Sequence, residues 1–141
     1  MIELRNVSIK YGELEVIKSL SLIVEKGEFF TLLGPSGCGK TTVLRAIAGF
    51  VPVTAGTILI DGKDVTKVPP EKRDVGIVFQ NYALFPHMAV TENVSFGLKV
   101  AKKAKPSIEV EVARILNATG IANQKDKKPA ELSGGQQQRV A

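Results

Sequence analysis

Gly34-Pro35-Ser36-Gly37-Cys38-Gly39-Lys40-Thr41 is the stretch on which the reading of this chain turns. Gly34 and Gly39 are separated by four residues and followed by Lys and Thr, the spacing of a phosphate-binding loop. The context agrees with the spacing. Phe29-Phe30-Thr31-Leu32-Leu33, just before it, is a nearly continuous apolar run of the kind that suits a strand covered on both faces. Lys40 to Gly49, just after it, carries Val43, Leu44, Ile47 and Ala48 at helical spacing and ends on a glycine. In a strand, loop, helix order the loop's backbone N–H groups and the positive helix end cradle a polyphosphate. Lys40 is then expected to neutralise the β and γ phosphates and the Thr41 hydroxyl to ligate Mg²⁺, with Thr42 as a further donor. Cys38 needs only to be small. A glycine-rich turn with an exposed lysine is the plain alternative, and the flanking strand and helix argue against it.

Outward from the loop, Ile2 to Lys10 alternates apolar and polar residues as a half-buried strand that Tyr11 and Gly12 end. Val16 to Val24 alternates again. Gly56 to Ile60 is a further strand, and Asp61-Gly62 turns it back as a hairpin. Val75 to Phe79 reads as a short buried strand ending at Gln80. Beyond it the pattern becomes helical: Thr91 is expected to cap a helix through Asn93 to Val100, and Ser107 one in which Ile108, Val112, Ile115, Leu116 and Thr119 share a face, closed by Gly120. A last helix begins at Ser133.

The composition narrows the class. With 141 residues, 44% hydrophobic and 23% charged, the chain suits one folded domain or a piece of one, not a disordered or collagen-like polymer. No apolar run approaches the roughly 20 residues of a spanning helix, and the opening residues lack the pattern of a secretory leader. The single cysteine excludes an intrachain disulfide, so a cytoplasmic location is expected. Of the 19 basic residues, 11 lie in 71–141, notably Lys99, Lys102, Lys103, Lys105 and the run from Lys125 to Lys128. No aromatics are interleaved for base stacking, so these read as solvated connectors and no nucleic-acid partner is expected.

Leu132-Ser133-Gly134-Gly135-Gln136 is the second constellation. Ser133 and Gln136, three apart, make a capping box by themselves. The paired glycines weaken a helix start but bare its N–H groups, which suits a second anion site.

With both elements in hand, the chain resembles the nucleotide-binding domain of ATP-binding cassette transporters, whose hallmark pentapeptide is Leu132 to Gln136, and the resemblance runs its full length. Phe79-Gln80-Asn81-Tyr82-Ala83-Leu84-Phe85-Pro86-His87 together with Thr91-Glu92-Asn93-Val94 is most similar to bacterial importer subunits serving polyamines, sugars, ferric iron or sulfate. The resemblance implies an α/β phosphate-loop ATPase with an amino-terminal antiparallel β subdomain, a partial parallel core and a helical subdomain. Residues 1–80 would hold the β subdomain and loop core, and 81–141 the helical subdomain ending in the signature helix. It further implies ATP and Mg²⁺ as ligands, Tyr11 stacked on adenine, and Gln80 as a catalytic residue beside Lys40, sensing Mg²⁺ and the attacking water. The segment after Gln80 would receive the membrane permease subunit. Two such domains, as a homodimer or with a second nucleotide-binding domain, would clamp ATP between the phosphate loop of one and the Ser133 helix of the other. The location implied is peripheral, on the cytoplasmic face of the bacterial inner membrane.

The resemblance also sets an expectation about extent. The chain reads as truncated inside the signature helix at Ala141, without the acidic residue at a strand end that such ATPases use for Mg²⁺. Weak or absent hydrolysis is therefore expected. Thr57-Ile58-Leu59-Ile60-Asp61 mimics such a strand, but Gly62 follows and the stretch precedes the signature, so Asp61 reads as a turn residue. His87, the one histidine, does not stand where the family's switch histidine is expected. Three alternatives stay open: a soluble phosphate-loop kinase or GTPase, a cassette ATPase of DNA repair or translation, and a non-catalytic nucleotide-binding fragment. The transported solute is not legible.

Overall fold

The structure, a computed structural model, describes all 141 residues, Met1–Ala141. They form two compact units, Met1–Ile77 and Val78–Ala141.

In the first unit β1 (Ile2–Tyr11), β2 (Leu14–Val24), β3 (Ala55–Ile60) and β4 (Lys63–Asp64) make one antiparallel sheet in the order β2-β1-β3-β4. The alternation seen in the sequence sets the register: Leu4 faces Leu22 and Ile9 faces Ile17 across the first pair, and Leu4 faces Ile58 across the second. One face of the sheet is therefore apolar. Leu4, Val7, Ile9, Ile17 and Ile58 are buried there with Val43 and Ala46 of the helix α1 (Lys40–Ile47). Each such Leu, Ile or Val side chain contributes about 1.5–3 kcal/mol by leaving water. The register shifts between Leu4 and Val7, where Asn6 takes a positive φ, and the Ser21 hydroxyl accepts the Asn6 N–H at 2.9 Å so that the irregularity leaves no orphan donor there. Asp61 and Gly62, both at positive φ, turn β3 into β4 as the sequence indicated.

α1 ends in a Schellman motif. The Gly49 N–H donates to the Ala46 carbonyl at 3.1 Å and the Phe50 N–H to the Arg45 carbonyl at 2.8 Å, with Gly49 at φ +87.

The partial parallel core does not form. Residues 29–33 and 75–79 run without strand pairing, and Phe29 and Leu33 remain 95% and 88% exposed. An apolar run has the propensity for a buried strand, but a strand exists only where a neighbour supplies the ladder, and neither run has one in this chain.

The second unit holds α2 (Val90–Val100), α3 (Lys105–Ala118) and α4 (Gly134–Val140). Its core is Val90, Ile108, Val112, Leu116, Ile121, Leu132 and Val140. Two expected caps are corrected. Thr91 lies inside α2, because the Glu92 carboxylate accepts the Ala89 N–H at 2.8 Å and starts the helix two residues earlier, leaving the Thr91 hydroxyl to donate to the Lys125 carbonyl at 2.8 Å. Ser107 lies in the first turn of α3, which begins at Lys105 with Pro106, its φ fixed, as the second residue. Gly120, at φ +67, follows the end of α3 as expected. No helix is long and apolar enough to cross a membrane.

Candidate nucleotide site

The loop from Gly34 to Gly39 joins the extended run 29–33 to α1, and its backbone shape explains its glycines. Gly34, Gly37 and Gly39 all take positive φ. At Gly39, the residue that caps α1 at φ 95, a Cβ would fall 2.6 Å from Ile17 Cδ1 of the sheet core. At Gly34 a Cβ would fall 2.8 Å from Cys38 Sγ, so the loop closes on itself only without side chains at these positions. Cys38 is exposed.

Lys40 folds back over the loop. Its Nζ donates to the carbonyls of Gly34 and Pro35, each at 2.7 Å, and lies 3.4 Å from Cys38 Sγ. No side chain caps the first turn of α1 and no acidic residue sits in it. The helix therefore presents bare N–H groups, its positive end and a lysine ammonium together, and that combination fits the phosphates of a nucleotide. Thr41 is exposed at the same turn and Thr42 is half-buried beside it. Pro35 and Ser36 are exposed along the loop. Thr41 would hold Mg²⁺ through its hydroxyl. Tyr11, at the end of β1 opposite Leu14, is 50% exposed and leaves its ring open to a planar partner.

The other residues singled out in the sequence belong to the second unit. Gln80 is exposed in the turn that the Tyr82 N–H closes onto the Phe79 carbonyl at 2.9 Å. The signature forms the capping box its sequence predicts. The Ser133 N–H donates to Gln136 Oε1 at 2.9 Å and the Gln136 N–H to Ser133 Oγ at 3.3 Å, a complete capping box. Leu132 is buried in the core, while Gly134 and Gly135 are exposed with open space where a Cβ would point.

Three polar residues, whose contacts the sequence does not reveal, shape the surroundings of these residues. Gln137 Nε2 donates to the Pro129 carbonyl at 2.9 Å and to Leu132's at 3.3 Å, fixing the approach to α4. Asn93 accepts the Phe85 N–H at 2.8 Å and donates to the carbonyls of Phe85, Met88 and Ala89, which pins residues 85–89 against α2. Phe85 meets Phe96 at a 45° tilt with ring centroids 4.5 Å apart and meets His87 edge-on at 6.2 Å, an aromatic group at the surface. The third is Arg73, buried under α1.

The family model described as "ABC transporter" matches residues 17–141. The spermidine/putrescine import ATP-binding protein PotA of Aliivibrio fischeri is 55% identical over the whole chain, and that of Haemophilus ducreyi 52%; each match spans 38% of the relative's length. The chain thus covers about two fifths of the curated relatives it matches. Among solved structures, the ATP-binding cassette MJ0796, in a dimeric post-hydrolysis state bound to ADP and Pi, superposes with a TM-score of 0.88 at 31% identity, covering 99% of this chain and 66% of that one. The chain belongs to the ABC transporter family, as an ATP-binding cassette domain in part.

Proposed function

We propose that this chain is the nucleotide-binding part of the ATP-driven subunit of a bacterial importer. Residues 34–42 take the phosphates of MgATP: Lys40 neutralises the β and γ groups, Thr41 ligates the metal and Tyr11 stacks on the adenine. In the working transporter Gln80 orients water and metal, and the Ser133 helix closes on the ATP held by a second copy. Residues after Gln80, with Phe85 and Phe96 at the surface, receive the permease, which places the protein on the cytoplasmic face of the inner membrane. Polyamines are the favoured cargo class, supported by the PotA relatives at 52–55% identity.

Bound Mg²⁺ would spread the charge developing on the transferred phosphoryl group. This chain's own contribution is to bind and orient: the loop N–H groups and Lys40 hold the phosphates against the positive end of α1.

The observation that carries the proposal is the uncapped first turn of α1 beneath the Lys40 ammonium. Competition of MgATP against a fluorescent ATP analogue tests it, with Lys40→Ala as comparison. Saturable binding that Lys40→Ala abolishes is expected; equal affinity in a folded Lys40→Ala would refute it.

A further inference from the structure

Arg73 is a buried cation with no carboxylate beside it. It is 8% exposed, yet its guanidinium is engaged on every side by main-chain oxygens. Nη1 donates to the carbonyls of Ala46 at 2.7 Å and Ile47 at 2.8 Å, Nε to Val68 at 2.7 Å and Nη2 to Thr66 at 3.2 Å. Ala46 and Ile47 are in the last turn of α1, whose terminal carbonyls carry the negative end of the helix dipole. Gly49 makes the room: a Cβ there would fall 2.7 Å from Arg73 Nε and 3.0 Å from Cζ. The fork therefore ties the rear of α1 to the loop that follows β4, while the front of the same helix carries Lys40 and Thr41.

We propose that Arg73 is a positioning residue for the phosphate loop, holding α1 from its C-terminal end so that its first turn stays aimed at bound phosphates. This rests on the reading of residues 34–42 as the nucleotide site. An eight-residue helix is about 12 Å long, so a rotation of about 5° about its rear carries the first turn through about 1 Å. Displacement on that scale is enough to spoil phosphate contacts. Only a planar, permanently charged fork spans all four carbonyls; lysine reaches one side of the set as a point charge.

The test uses the 141-residue chain with Arg73→Met, Arg73→Lys and Ile58→Val, a core change on β3 that serves as a control for lost stability. MgATP affinity is measured by competition against a fluorescent analogue, below the unfolding transition of every variant, and amide exchange is followed at Val43 and at Ala48 to Phe50. Arg73→Met is expected to weaken MgATP binding about tenfold and to speed exchange along α1, with Arg73→Lys recovering only part of that loss and staying at least about threefold weaker than the parent. Ile58→Val is expected to lose stability with unchanged affinity. If Arg73→Met binds like the parent, if Ile58→Val loses as much affinity, or if Lys recovers nothing over Met, the assignment is overturned. A parent chain that binds no MgATP overturns the nucleotide-site reading itself, and a parent that binds while Arg73→Met is silent overturns only the role of Arg73.

Discussion

Gly39→Ala probes the joint between the phosphate loop and the sheet. Gly39 caps α1 at φ 95, where an L-residue costs about 1–2 kcal/mol. The new Cβ would also lie 2.6 Å from Ile17 Cδ1, an atom of a side chain that is 8% exposed and packed in the core. Driving Ile17 off its rotamer to relieve that contact adds about 0.5–1.5 kcal/mol. The total is about 2–3 kcal/mol, lowering the thermal midpoint by about 8 °C in a chain of this size. Urea unfolding followed by circular dichroism measures the loss. Ile17→Val removes the offending methyl at a cost of about 1 kcal/mol by itself. In the double variant the steric part should vanish, so the two changes should couple by about 1 kcal/mol in the favourable direction. A loss below about 0.5 kcal/mol for Gly39→Ala, or strict additivity in the cycle, would show that the loop does not bear on Ile17 as described.

Other expectations follow from the same contacts. Tyr11→Ala should weaken MgATP binding by about 1 kcal/mol if its ring stacks on adenine, and calorimetric titration reads this directly. The Thr66 hydroxyl first, and then the Thr66 N–H that donates to the Asp64 carboxylate at 2.8 Å, hold the Asp64 carboxyl below the ordinary 3.8. The stability this adds is present above that value and disappears as pH falls through the lowered native pKa. Asp64→Ala should therefore lower the thermal midpoint at pH 7 and shrink the difference between pH 7 and about pH 2.5. Phe29 and Leu33, exposed on an unpaired run, should drive association that light scattering detects as mass rising with concentration, and Phe29→Lys should reduce it. Phosphate release by this chain should match that of Lys40→Ala; clear magnesium-dependent turnover would make Asp61 the first residue to re-examine.

What the sequence made legible was local. The glycine spacing of residues 34–39, the turn at Asp61-Gly62 and the box of Ser133 with Gln136 each depend on residues a few positions apart, and all three take the shapes their chemistry dictates. The runs 29–33 and 75–79 were misread because their apolar character describes a propensity, whereas a ladder requires a partner. Thr91 and Ser107 looked like caps by type, but those helices start earlier, with Glu92 and Pro106 in their first turns. Arg73 gave no signal at all, and Asn93 stood only as part of the Thr91 to Val94 motif with nothing to show its contacts. Arg73 gathers main-chain oxygens from two segments, up to 27 positions away, and Asn93 gathers those of the irregular stretch 85–89, and no periodicity records such contacts.

The central claim is that residues 34–42 bind the phosphates of a nucleotide, and amide chemical-shift mapping during a MgATP titration tests it most directly. Large shifts concentrated at Gly34, Gly37, Gly39, Lys40, Thr41 and Thr42, saturating with one affinity and absent in Lys40→Ala, are the predicted result. A titration that leaves these amides in place, or moves a different set while binding proceeds, would contradict it.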